Sequence, residues 1–243
     1  MSIRAVLFDL GDTLMYPLRN AWPEIISRGN LALTERLCQA GLDIECQHFH
    51  EQFNQRLDEY YRLRDVDMLE TSTFLVLKEL LAEKGCLDVP DAIIRQGLDG
   101  LYEVTQQNWA LEADAIACLE TLQAAGLRLG IVSNAGDNKD VFQLVEKFGI
   151  RPFFDFVLTS AVCGFRKPHQ QIFDRALSHW GFSPSETVMV GDRLDADIQG
   201  AARMGIFSIW IRRRAHLLHM DGTLPGAVVE KLEEVPPIVF SLM

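Results

Sequence analysis

The sequence predicts an α/β protein, a parallel-sheet core interrupted by an inserted all-helical domain. Three observations predict it. Five short, almost wholly apolar runs rich in β-branched residues suit strands buried on both faces. Helix-period segments separate the last four runs, as parallel crossovers require. More than a hundred residues part the first run from the second, far too many for a simple connection.

Taken in order, the first strand is expected over Ile3 to Phe8. The insert follows at 18–108 and leaves 1–17 and 109–243 for the core. Within the insert, Leu31, Leu33 and Leu37, and later Phe74, Leu75, Leu77, Leu80 and Leu81, recur at helical spacing with almost no strand signal, which predicts about four helices. The β-α repeat then runs through helix Ala113–Ala125, strand Leu127–Val132, helix Asp137–Phe148 and strand Phe154–Leu158. It closes with helix Gln170–Trp180, strand Thr187–Val190, helix Asp195–Met204 and strand Ile206–Ile211.

Bulk properties narrow the function. With 243 residues and 48% hydrophobic side chains the chain can fill a large core. A formal charge of -11 repels phosphodiester backbones, and the only basic run is the short Arg212, Arg213, Arg214 cluster, so nucleic acid is not an expected partner. The apolar N-terminal stretch, Ala5 to Phe8, is too short for a signal-peptide core, and no run of 18 apolar residues follows, so no membrane association is expected. Five scattered cysteines without a C-x-x-C pair read as buried thiols in a reducing compartment, which places the protein in the cytoplasm. Six histidines, including the pair His48 and His50, His169, and His216 with His219, form no metal pattern. Nothing in the sequence sets an oligomeric state.

In an open parallel sheet, ligands bind beyond the carboxyl ends of the strands. Polar residues follow four of the runs: Asp9, Gly11, Asp12 and Thr13 after the first; Ser133 and Asn134 after the second; Arg166, Lys167 and Pro168 after the third; and Gly191 and Asp192 after the fourth, with Asp195 and Asp197 one turn on. Asp9 and Asp192 on adjacent strand ends would repel unless a hard cation sat between them, and carboxylate oxygen is what Mg²⁺ prefers. That cation, the Lys167 ammonium, the Ser133 hydroxyl and backbone N–H groups could together neutralise a phosphoryl group. Asp9, opening the crevice, could attack phosphorus and form an aspartyl-phosphate.

These segments, LFDLGDTL, VSNAGD, GFRKPHQQIF and VMVGDRLDADIQGA, resemble in order and spacing the four motifs of the haloacid dehalogenase superfamily. The resemblance spans essentially the whole chain. It implies a Rossmann-like core with a C1-type helical cap, Mg²⁺ as cofactor and a small phosphorylated metabolite as substrate. It also implies Asp9 as nucleophile, Ser133 and Asn134 as phosphate-binding residues, and Lys167 as the residue that stabilises the phosphoryl group. The metal would be held by Asp9, Asp192 and the backbone carbonyl of Gly11, with Asp197 in the outer shell.

One departure stands out. The family's usual second Asp, which protonates the leaving group, is Gly11 here. General acid-base help is worth about 10²–10⁴ in rate, so the loss falls hardest on poorly departing alkoxides. Asp12, one position later, replaces the acid if its carboxylate turns inward; otherwise it bonds a backbone amide of the loop. The two readings predict opposite effects of Asp12→Asn on turnover.

Other polar residues read as structural. Asp195 is expected as a helix N-cap or first-turn dipole partner, Arg166 as a rim charge, and Arg62 and Arg64 as a solvated helix face. Trp22, Phe49, Phe53, Tyr60, Tyr61 and Met68 in the insert are expected to pack. Three alternatives compete with a phosphatase. A 2-haloacid dehalogenase-type hydrolase would have no use for Asp192. Phosphonate hydrolysis needs a Schiff-base lysine, for which the insert holds only Lys78 and Lys84. A phosphoryl mutase depends on the missing acid. From another class, a catalytically weak binding module draws support only from Gly11.

Overall fold

The computed structural model describes residues 2–18, 22–214 and 222–243, apart from the side chain of Asp65. His216 and His219 lie outside the described residues. In chain order the structure runs β1 (Ala5–Phe8), β2 (Met15–Pro17), α1 (Trp22–Gln39), α2 (Phe49–Asp67), α3 (Thr73–Glu83), α4 (Asp91–Gln106) and β3 (Trp109–Leu111). It continues through α5 (Ala115–Ala124), β4 (Arg128–Ser133), α6 (Asn138–Lys147), β5 (Phe156–Thr159), α7 (Ser160–Cys163) and α8 (Gln170–Ser178). β6 (Thr187–Gly191), a π-helical turn (Leu194–Ile198), α9 (Gln199–Met204), β7 (Phe207–Ile211), β8 (Ala227–Val229) and α10 (Val235–Ser241) complete it. The chain divides into two compact units, Met1–Tyr16 with Ala110–Met243, and Pro17–Trp109.

The first unit is built on a six-stranded sheet in the order β5-β4-β1-β6-β7-β8, every pairing parallel. The α/β class read from the sequence is what the structure has. β1 lies at the centre, and its four residues are wholly buried because helices cover both faces. One face packs Leu7, Val132 and Met189 against Ile172, Phe173 and Ala176 of α8. The sequence reading did not name β2, β3, α7, β8 or α10. β8 is only three residues long, and α10 opens on Val-Pro-Pro, where proline is tolerated because the first helical N–H groups need no partner.

Among the described residues the second unit holds four helices, α1 to α4. Leu33 and Leu37 of α1, Phe49 and Phe53 of α2, Leu77 and Leu81 of α3, and Ile94 and Leu98 of α4 are all buried in one core. Their spacing is that of an amphipathic helix, which is why no strand competes here. Tyr61 and Leu75 remain exposed, so not every apolar residue expected to pack does so. Arg64 is no solvated charge: it stacks on the Tyr61 ring and pairs with the buried Glu70, which also accepts from Tyr60.

The cysteines also differ from expectation. Cys38 and Cys46 form a disulfide, since the turn after α1 brings their Cα atoms to 6.2 Å, within bridging range. Of the three free thiols only Cys118 is buried, and burial pushes it up to about 12. The Arg212–Arg214 run is not an open basic patch either. Arg212 pairs with Glu230, Arg213 with Glu112 and Asp114, and Arg214 with Glu112. No helix among the described residues is long and apolar enough to cross a membrane.

Candidate functional site

Parallel pairing sets the site. β1 lies between β4 and β6 with Phe8 opposite Ile131 and Val190, so the residues that follow these strands emerge at one sheet edge. Asp9 continues the ladder by one bond, its N–H donating to Val190 O at 2.9 Å, before the chain turns away. The turn is tight: Leu14 and Met15 both donate to Leu10 O, and Asp12 donates to Met15 O with a left-handed backbone (φ 58).

Lys167 is the hub. Only 3% exposed, it places Nζ 2.6 Å from Asp9 Oδ1, 2.7 Å from Asp197 Oδ1 and 2.6 Å from the Val132 carbonyl. Burial works against its charge, but Asp197 and Asp9 outweigh that and raise its pKa. Asn134 holds the lysine's main chain, since its amide donates to Lys167 O at 2.9 Å and accepts from Lys167 N at 2.8 Å. One N–H and the oxygen of the Asn134 amide thus hold Lys167, leaving a second N–H to donate elsewhere. Ser133, by contrast, ends β4 as a buried hydroxyl.

Carboxyl oxygens of Asp9, Asp192 and Asp197 lie within 4.8 Å of one another, all three residues buried. Burial first, then Asp9, Asp197 and Asp12, push the Asp192 carboxyl up to about 9, with Lys167 only partly opposing. Asp197 is pushed up to about 6 by burial, with Lys167 opposing and Asp9 adding. One ammonium does not neutralise three buried carboxylates. An all-oxygen donor set with excess negative charge fits a hard divalent cation. Asp197 has both oxygens engaged, Oδ1 by Lys167 and Oδ2 by the Arg193 N–H at 3.0 Å, whereas among the described residues the Asp192 carboxylate receives the Thr13 hydroxyl at 3.5 Å.

Glycine makes room for this arrangement at Gly191. A Cβ there would sit 2.6 Å from the Asp197 Cβ, nearer than unbonded carbons approach.

The structure therefore brings Asp9, Ser133, Asn134, Lys167, Asp192 and Asp197 to the strand ends where they were expected, with Gly11 and Asp12 in the adjoining turn. One neighbour differs from expectation and another meets it. Arg166 is buried rather than a rim charge. Asp195 lies in the first turn after Arg193, the second of the two places expected for it, and pairs with Arg193 at 2.6 Å. The sequence reading also passed over Trp210, whose indole contacts Asp192, since an apolar strand residue carries no site signal.

A parallel α/β fold with a lysine-bridged acidic crevice at the strand ends defines a class. A family model described as haloacid dehalogenase-like hydrolase matches residues 3–205, and the chain belongs to that family of hydrolases. It is 29% identical over 254 residues to a glyceraldehyde 3-phosphate phosphatase of Methanocaldococcus jannaschii, covering 99% of this chain and 98% of that protein. It is 31% identical over 205 residues to a ribulose-1,5-bisphosphate 5-phosphatase of Halopiger xanaduensis, covering 84% and 83%. Among solved structures, a 2-haloacid dehalogenase from Pseudomonas syringae aligns with a TM-score of 0.65 at 26% identity over 99% of each chain.

Proposed function

We propose that this chain is a Mg²⁺-dependent phosphomonoesterase acting on a small phosphorylated metabolite through an aspartyl-phosphate at Asp9, with residues 18–108 as the cap that selects the leaving group. The observation that carries the reading is the charge imbalance of the crevice: three buried carboxylates within 4.8 Å share one lysine. The relatives named as phosphatases of small sugar-type phosphates agree with it. Likeness in fold to a dehalogenase does not by itself favour that rival, because displacement of halide by an Asp carboxylate needs no metal and leaves the clustered negative charge of the crevice without that counter-charge.

In this reading each residue has a distinct task. Lys167 fixes the Asp9 carboxylate through Oδ1, leaving Oδ2 to approach phosphorus in line. Ser133 and the backbone N–H groups beyond β4 receive phosphoryl oxygens, while Asn134 acts through the Lys167 main chain. Asp9, Asp192 and the Gly11 carbonyl would hold Mg²⁺, with Asp197 behind them. The ion supplies positive charge against the phosphoryl oxygens and the clustered carboxylates. Attack forms an Asp9 Oδ–P bond and breaks the ester P–O bond, and water then hydrolyses the aspartyl-phosphate.

Leaving-group protonation is where Gly11 matters. Asp12 lies near enough to Asp192 to raise that carboxyl, which puts its charge beside the crevice. It is the only candidate in this turn for the missing acid. Trapping tests the proposal: beryllium fluoride with Mg²⁺ should bind the wild-type chain and not Asp9→Asn, and equal binding by both would refute Asp9 as nucleophile.

A further inference from the structure

Asp192 depends on the neighbouring strand for more than register. β6 and β7 pair with Gly191 opposite Trp210, and the Trp210 indole N–H donates a buried 2.8 Å hydrogen bond to the Asp192 main-chain carbonyl. The same ring packs with Leu194 and Ile198, the first and last residues of the π-helical turn that carries Asp197. One side chain therefore supports two acidic residues, Asp192 through its main chain and Asp197 through the packing of its turn.

We propose that Trp210 is a positioning residue for the Asp192 and Asp197 carboxylates and so sets the affinity of the divalent-cation site; this rests on the Mg²⁺ reading above. An indole N–H only donates, so the bond fixes the direction of the Asp192 carbonyl, and with it the rotation that sends the carboxylate into the crevice. A buried carbonyl that loses its donor rotates to find another. Arg193 N–H is already committed to Asp197, so a shift at Asp192 passes directly to the second carboxylate. Trp210 touches no reacting atom, and its effect is expected in cation binding before it is seen in chemistry.

The test uses the full chain without substrate, titrated with Mg²⁺ in a calorimeter after EDTA treatment and dialysis. Trp210→Phe keeps the ring and removes the donor, and it should bind Mg²⁺ 10- to 100-fold more weakly than wild type, the usual range for groups that orient metal ligands. Leu194→Val trims the packing under the turn and keeps the donor; it should weaken binding at least threefold, and it decides the matter if Trp210→Phe does not fold. Mg²⁺ affinity within twofold of wild type in the folded variant overturns the proposal, even if its melting temperature has dropped. Wild type that takes up no Mg²⁺, or takes it up as well when Asp192 is replaced by Asn, removes the magnesium reading and this proposal with it.

Discussion

Lys167→Met removes the only ammonium among three buried carboxylates while keeping an unbranched chain of similar length. Breaking a buried ion pair by deleting one partner costs about 3–5 kcal/mol, because the charge left behind is uncompensated. Here Asp9 and Asp197 both lose their cation at once, which puts the expected cost toward the upper end in metal-free protein. At about 2–4 °C per kcal/mol for a domain of this size, the melting temperature should fall by about 6–20 °C.

The pH dependence gives the prediction its sign. Asp192 and Asp197 have folded pKa values raised to about 9 and about 6, above the ordinary carboxylate value, so the folded state favours their protonated forms. The stability this contributes is fully present below about pH 4 and is lost as pH climbs through the two raised values. Deleting Lys167 removes the one group that opposes both shifts. The deficit of Lys167→Met should therefore be small at pH 5 and large at pH 9. The assay is thermal denaturation followed by circular dichroism in EDTA at both values. A deficit below about 1 kcal/mol at pH 9, or one that does not change with pH, would refute the reasoning.

Two further predictions follow from neighbouring positions. Gly191→Ala drives a methyl into Asp197, so it should cost about 1–3 kcal/mol by overpacking and weaken Mg²⁺ binding, read by thermal shift with and without the ion. Gly11→Asp restores the acid position, and it should raise turnover of alkyl phosphates by about 10²-fold or more while leaving aryl phosphates nearly unchanged, read by phosphate release from both.

Much of this was legible in the sequence because parallel strands are short, apolar and buried on both faces, and because catalytic groups must emerge at their carboxyl ends. Asp9, Ser133, Lys167 and Asp192 each follow such a run, so β1, β4, β5 and β6 could be read together with the residues they deliver. What stayed hidden depends on contacts between distant segments. The Asn134 amide bonds the Lys167 main chain, 33 residues on, a pairing between distant segments. Arg193 pairs with Asp195, and the fold buries Arg166, outcomes that no local pattern encodes. The disulfide likewise reflects how the chain turns after α1, not a cysteine motif. Trp210 looks like any strand residue until its indole is seen against Asp192.

The most direct test of the central claim is phosphate release from p-nitrophenyl phosphate, acetyl phosphate and alkyl phosphates, with and without Mg²⁺, for wild type and Asp9→Asn. The account predicts hydrolysis that needs both Mg²⁺ and Asp9 and favours good leaving groups. Hydrolysis that persists in Asp9→Asn or in EDTA, or silence of the folded wild-type protein across the panel, would contradict it.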